Sequence, residues 1–274
     1  MSGILYVTGT PIGNLGDLSP RAAKTLEEVD FIAAEDTRVT LRLLNHLGIK
    51  KPMISYFEHN KRERGVMICQ RIEQGESCAI VTDAGMPCIS DPGEDLIKLC
   101  EERGIKTVVV PGPSAVISAL AVSGLETGRF CFEGFLSVNK KSRSEHLQSL
   151  QNEKRTMIFY EAPHKLPSTL RDLYSSFGDR KLSIVRELTK VHEEVIRTTT
   201  SQAAERYADG SIKGEIVLVL EGKRGEEADE SCTLQDAVDL AKRLVADGQR
   251  TTEAAKNAAA MTGFKKNEIY RELV

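Results

Sequence analysis

Cys78-Ala79-Ile80-Val81-Thr82-Asp83-Ala84-Gly85-Met86-Pro87-Cys88-Ile89-Ser90-Asp91-Pro92-Gly93 joins a short apolar run to a loop that carries two glycines, two aspartates and two prolines. The run has the length and β-branched content of a buried strand, and the loop is more elaborate than a strand-to-helix connection requires. Glycine lets a main chain approach a ligand, and proline stiffens the loop that presents it. Asp83, at the strand's end, can accept a hydrogen bond from a ligand hydroxyl or amino group. A binding role is the expectation for this loop.

Outward from it, the first half repeats one unit. Apolar runs at Ile4 to Val7, Phe31 to Ala34, Met53 to Phe57, Cys78 to Val81 and Thr107 to Val110 alternate with amphipathic stretches, as in βαβ units around a parallel sheet. Gly48, Gly75, Gly104 and Gly124 each follow an amphipathic stretch and predict helix ends. Ser19-Pro20 predicts a capped helix start. After Pro111-Gly112-Pro113 the runs lengthen, at Phe130 to Leu136, Thr156 to Tyr160, Leu182 to Leu188, Glu194 to Thr199 and Glu215 to Leu220, which predicts a mixed sheet. Gly222 to Ser231 is polar and reads as a linker. Thr233 to Asp247, Thr251 to Met261 and Lys265 to Val274 predict three short helices. The chain is thus read as an N-terminal α/β domain (1–112), a second α/β domain (113–222) and a linker with a helical tail (223–274).

The 274 residues, 41% hydrophobic and 28% charged, suit folded domains that need neither disulfides nor structural metal. The six cysteines form no C-x-x-C pair and have no histidine at zinc spacing, so reduced thiols are expected, and no metal site. A net charge of -3 opposes non-specific coating of nucleic acid, and DNA is not an expected partner. The first residues lack a basic stretch followed by a long apolar one, and no run reaches bilayer length, so a cytoplasmic protein without a membrane partner is expected.

Ligands of parallel α/β sheets bind beyond the carboxyl ends of the strands. Three loops stand there: Thr8 to Asn14, Thr82 to Gly93 and Pro111 to Ala115. Neither G-x-G-x-x-G nor G-x-x-x-x-G-K-[ST] occurs, which weakens a dinucleotide or nucleoside triphosphate reading. The ordered strings Thr10-Pro11-Ile12-Gly13-Asn14-Leu15, Ala34-Glu35-Asp36-Thr37-Arg38, the Asp83 to Gly93 loop and Pro111-Gly112-Pro113 resemble those of the tetrapyrrole methylase superfamily. The resemblance runs on through Phe132 to Leu136, Phe159 to His164, Arg186 to Lys190 and Lys213 to Glu215, so it spans nearly all of residues 4–222. Within the superfamily it is greatest to the branch that methylates the ribose 2'-oxygen of cytidine 1402 in 16S rRNA. Two positions depart from the pattern: Met86 replaces a usual threonine, and Lys165 a usual arginine.

The resemblance implies a two-domain tetrapyrrole methylase-like α/β fold with S-adenosylmethionine (AdoMet) in the cleft between the domains. It implies as cofactor contacts Pro11, Asp83, Ala84, Gly85, Ile89, Ser90, Pro113, Ser114, Ala115, Tyr160, Glu161, Gly214 and Glu215. It also implies a homodimer, with 16S rRNA in the small ribosomal subunit as substrate. Arg38, Lys61, Arg62, Lys140, Lys141 and Lys165 are the candidate RNA contacts, although each cluster alone also suits a solvated face. The candidates for general base are Glu35, Asp36, Glu161, His164 and Glu187, of which Glu161 is the best single choice because it follows a strand beside the expected cleft. Helix capping or ion pairing would equally explain Glu35, Asp36 and Glu187, and surface exposure His164. A small-macrocycle methyltransferase of the same fold, and a non-catalytic ribosome-binding protein, are the alternative readings.

Overall fold

The computed structural model describes residues 2–224 and 233–273. Two compact units divide it, Met1–Glu221 and Gly222–Val274.

The first unit opens with alternating strands and helices: β1 (Ile4–Thr8), α1 (Pro20–Glu28), β2 (Phe31–Ala34), α2 (Thr37–Leu47), β3 (Met53–Ser55), α3 (Lys61–Glu73), β4 (Cys78–Val81), α4 (Gly93–Glu102), β5 (Lys106–Val110) and α5 (Ala115–Ser123). The five strands form one sheet in the order β3-β2-β4-β1-β5, with every pair parallel. Every residue of β2 and β4 is buried, and alternate side chains serve opposite faces. Phe31, Ala33 and Ile80 join the core shared with Ile68 of α3 and Leu96 of α4, whereas Ile32, Ala34 and Val81 join Leu26 of α1 and Leu44 of α2. Ser19 caps α1 by accepting from the Ala22 N–H, with Pro20 in the first turn. Gly48, Gly75, Gly104 and Gly124 all take positive φ after their helices, as expected of left-handed helix ends.

The second sheet contains β6 (Phe130–Phe135), β7 (Thr156–Glu161), β8 (Lys181–Arg186), β9 (Glu194–Thr199) and β10 (Ile216–Leu220) in the order β6-β7-β10-β8-β9. Only β6 and β7 are parallel, so the sheet is mixed. One face packs on α6 (Lys140–Ser149), α7 (Leu166–Phe177) and α8 (Thr200–Arg206), through Leu147, Leu170 and Ala203. The other face presents Ile158, Val185, Val217 and Val219 to Val116, Ala119 and Leu120 of α5 and to Ile12, which follows β1. The second sheet therefore shares a core with α5 and with Ile12 of the loop after β1, and this seats the loops of the first sheet against it. The strand β8 stops at Arg186, before the expected Leu188, because Glu187 and Thr189 adopt left-handed backbone.

The second unit holds α9 (Leu234–Ala246), α10 (Thr251–Thr262) and α11 (Lys266–Leu273), which close on Ala237, Ala241, Ala255, Ala258 and Ile269. Thr233 and Asp236 form a reciprocal capping box at its start. Most of the linker expected at Gly222 to Ser231, together with Cys232 and Val274, lies outside the described residues. Among the described residues, no helix is long and apolar enough to cross a membrane.

Candidate active site

The loops after β1, β4 and β5 are stitched into one surface. Gly9 and Gly112 lie back to back: a Cβ on Gly9 would stand 2.7 Å from the Gly112 Cα, and one on Gly112 would stand 2.8 Å from the Gly9 Cα. The Thr10 N–H donates to the Gly85 carbonyl at 2.9 Å and the Gly85 N–H returns to Thr10 at 3.2 Å, which makes an isolated antiparallel bridge. Gly85 has φ of +90°, a conformation other residues adopt only at a cost. Met86, where threonine is usual, directs its sulfur at the Gly112 N–H, 3.2 Å away. This contact ties the second loop to the third.

Asp91 organises the rest of the long loop. Its carboxylate accepts from the N–H groups of Cys88, Ile89 and Gly93 at 2.8–3.3 Å, while Cys88 and Ser90 hold left-handed backbone. Tyr56 donates its hydroxyl to the Pro92 carbonyl from outside. Such strain persists only where surrounding bonds over-determine it. Burial pushes the Asp91 carboxyl up, and the Gly93, Cys88 and Ile89 amides oppose that rise.

Beneath these loops lies a cleft of about 490 Å³, within the range of small-molecule and cofactor sites. Of the expected contacts, Asp83, Ala84, Gly85, Ile89, Ser90, Ser114, Ala115, Tyr160, Glu161 and Glu215 line it. Pro11, Pro113 and Gly214 do not; Pro11 lines a neighbouring cavity. Gly214, at φ of +97°, instead packs its backbone against Glu187, whose Cγ would meet a Cβ there at 2.6 Å. The sequence reading missed the apolar walls Ile12, Val185 and Val217. They come from three separate segments, and only the alternation along β8 and β10 hints at a second-sheet face. Phe135, 62% exposed, packs on Tyr160 at the rim, with ring centroids 5.4 Å apart.

Among the described residues, five carboxylates line the cleft and no lysine or arginine does. Four of the five are heavily engaged. Glu161, 5% exposed, accepts from the Ala162 N–H at 2.8 Å and from the Thr169 hydroxyl. Arg143 in turn donates to the Thr169 oxygen at 2.8 Å and pairs with Asp172, which locks the Glu161 side chain. Glu35 accepts from the Thr82 hydroxyl at 2.5 Å and from the Asp83 N–H at 3.4 Å. Asp91 holds its loop, and Glu215 pairs with Lys190 at 3.1 Å. Asp83 uses only Oδ1, which accepts from the Asp36 N–H at 3.1 Å. Burial raises the Asp83 carboxyl first, with the Glu35 and Asp36 charges adding to it.

The remaining candidates take other places. Asp36 caps α2 through the Arg38 N–H and pairs with the Arg38 guanidinium at 2.6 Å, which holds the Asp36 carboxyl down at about 2. Glu187 accepts from the Glu215 N–H at 2.9 Å and from Lys190 at 3.0 Å; the amide first and Lys190 second lower its carboxyl. His164 is exposed and lies outside the cleft wall. Among the candidate cations, Lys61 pairs with Glu58 and Asp95, and Lys141 reaches Glu145 at 3.9 Å. Arg62 and Lys140 are exposed, and Lys165 is half-buried ahead of α7.

A parallel sheet and a mixed sheet, joined through the core that α5 and Ile12 share with the mixed sheet, flank an acidic cleft in an α/β unit. A family model of tetrapyrrole (corrin/porphyrin) methylases matches residues 4–204, and the chain belongs to that family. It is 44% identical over 270 residues to a ribosomal RNA small subunit methyltransferase I from Synechocystis sp., covering 98% of this chain and 96% of that one. It is 49% identical over 221 residues to a protein of the same name from Thermotoga maritima, covering 81% of this chain and 99% of that one. The Thermotoga protein therefore has no counterpart for about a fifth of this chain. Among solved structures, the uroporphyrin-III C-methyltransferase of Thermus thermophilus, complexed with S-adenosylhomocysteine, shares the fold with a TM-score of 0.58 at 15% identity, over 80% of this chain and 97% of that one.

Proposed function

We propose that the chain transfers the methyl group of AdoMet to the ribose 2'-oxygen of cytidine 1402 in 16S rRNA, acting on the small ribosomal subunit as a cytoplasmic homodimer. The observation that carries this reading is the 44% identity, across nearly the whole chain, to a protein named for small-subunit rRNA methylation. The cleft fits AdoMet on its own evidence. Five carboxylates and, among the described residues, no lining lysine or arginine suit a cationic ligand and repel a polyphosphate, and the faces of Ile12, Tyr160 and Val217 suit a nucleobase. The distant Thermus neighbour's S-adenosylhomocysteine points the same way.

When bound, AdoMet supplies an electrophilic methyl group on a sulfonium. The chain's residues must then align the acceptor and take up a proton. That methyl would pass to the acceptor oxygen with the carbon–sulfur electron pair left on sulfur, so the hydroxyl proton is what remains for the chain to take up. The hydroxyl proton passes to a carboxylate, and we assign that role to Asp83, which keeps Oδ2 outside its single hydrogen bond at the cleft edge. Glu161 then acts as a positioning group through its two fixed oxygens. Glu161→Gln is expected to cost about 1–3 kcal/mol in urea unfolding, since a carboxamide cannot accept from both the Ala162 N–H and the Thr169 hydroxyl. Its single-turnover rate should stay within about tenfold of the parent, a smaller loss than the roughly 10²–10⁴ typical of a missing general base.

The helical unit after Glu221 is assigned to substrate engagement, with Lys265 and Lys266 at the start of its last helix. A chain ending at Glu221 is expected to keep AdoMet affinity within about twofold while its KM for small subunits rises several-fold. Equal losses in both, in a folded truncation, would reject that division. For the function itself, labelled AdoMet is offered with small subunits, naked 16S RNA and a tetrapyrrole precursor in separate reactions. Label in the RNA of the subunits is the expected result; label in the macrocycle alone would overturn the reading.

A further inference from the structure

A second cavity, of about 250 Å³, opens beside the cleft and shares the wall residues Thr82 and Asp83 with it. Its other sides come from Pro11 and Leu15, after β1, and from Val39 and Arg42 on α2. Its character differs from that of the cleft. Pro11, Leu15 and Val39 offer flat apolar contacts, and Leu15 is 47% exposed. Arg42 is exposed at the mouth, and among the described residues no ion pair to it is found. One turn earlier on the same face of α2 stands Arg38, which Asp36 holds in place.

We propose that this cavity receives the acceptor nucleotide, its base turned out of the RNA and seated among Pro11, Leu15 and Val39, with Arg42 on an adjoining phosphate. Thr82 and Asp83, which line both cavities, would then stand where the ribose 2'-oxygen and a methyl donor held in the cleft come together. The inference rests on the RNA-methylation reading and names the substrate-side half of that site. The volume falls below the ~300 Å³ at which sites for whole small molecules begin, so one base fits where a macrocycle does not. Enzymes that act on a base inside a duplex extrude it into such a pocket and hold it by stacking and by edge contacts, and the same seating would fix a nucleotide whose ribose reacts. The arginine supplies the phosphate contact that the acidic cleft lacks.

Two variants test the assignment on small subunits that lack the methyl group. Val39→Trp fills the cavity from its wall, and Arg42→Glu reverses the charge at its mouth. Val39→Trp is expected to lower kcat/KM for the subunits more than tenfold with AdoMet affinity within twofold. Arg42→Glu should act mainly on KM and flatten its salt dependence by about one ion. An RNA carrying a fluorescent cytidine analogue at the target should brighten with the parent protein and fail to brighten with Val39→Trp. Parental kcat/KM in both variants, or brightening that survives Val39→Trp, would overturn the subsite. If Val39→Trp also loses AdoMet, it has disturbed the fold and Arg42→Glu decides alone. A parent protein that leaves the RNA unmethylated would instead overturn the functional reading on which the subsite depends.

Discussion

Gly9→Ala is expected to lower stability by about 2 kcal/mol or more, because its new methyl group would stand 2.7 Å from the Gly112 Cα, a backbone atom that cannot swing aside as a side chain does. For a unit of this size that corresponds to a fall in Tm of roughly 5 °C or more. The same substitution should weaken AdoMet binding at least tenfold. Forcing the first and third loops apart also strains the Gly112–Met86 contact and the Thr10–Gly85 bridge, and Gly85 and Met86 both line the cleft. Gly128→Ala is the control: a Cβ there meets nothing within 4 Å, so both quantities should stay close to parental values. Thermal unfolding and calorimetric titration with AdoMet check the pair. Equal behaviour of the two variants would show that the loop contact does not shape the cleft.

Asp83→Asn should have the larger effect on chemistry. It keeps an oxygen to accept from the Asp36 N–H but removes the basic carboxylate, so single-turnover methyl transfer should fall by about 10²–10⁴. Burial and the Glu35 charge raise this carboxyl in the folded protein. A carboxyl raised on folding favours the folded state below its unfolded value, and that contribution is lost as the pH climbs through the folded value. At neutral pH the charged Asp83 therefore destabilises the fold, and Asp83→Asn should unfold at the same or a higher temperature while losing activity. The parent's rate should fall on the acid side with a midpoint above that of an ordinary aspartate, and the variant should lack that limb. A variant that keeps the acid limb, or whose rate falls only with its stability, would remove Asp83 from the proton path.

The order of secondary structure was readable because the first-sheet strands carry short apolar runs and three of the helices between them are followed by Gly48, Gly75 or Gly104. The strands β2 and β4 lie inside a sheet covered on both faces, so no polar alternation blurs them. The strand ends were less legible: β8 was expected to reach Leu188, but the left-handed turn at Glu187 leaves no sequence mark, since glutamate is not a residue that usually signals it. In the site, Asp83 and its loop stood out because glycine, proline and aspartate cluster after a strand. What joins that loop to others did not. Thr10 and Gly85 are 75 positions apart, and nothing in either segment announces their bridge.

Glu161 shows the same limit in a side chain. Its place at the end of β7 suggests a reacting carboxylate. The Thr169 and Arg143 groups that fix it lie on α7 and α6, where they read as ordinary helix residues. Arg42 was passed over for a related reason: a lone arginine in a helix carries no signal until the fold sets it at the mouth of a cavity that shares Asp83 with the cleft. Pro11, grouped with the cofactor contacts by its motif, faces that same cavity.

The central claim is that this acidic cleft delivers a methyl group to one ribose oxygen in small-subunit RNA. The most direct measurement incubates small subunits lacking that modification with the protein and isotope-labelled AdoMet, then maps the label by nuclease digestion and mass spectrometry. The account predicts a single methyl group on the ribose of cytidine 1402, formed about 10²–10⁴ times more slowly when Asp83→Asn replaces the parent protein. Label on a base, on many nucleotides, or only on a non-RNA acceptor would contradict it.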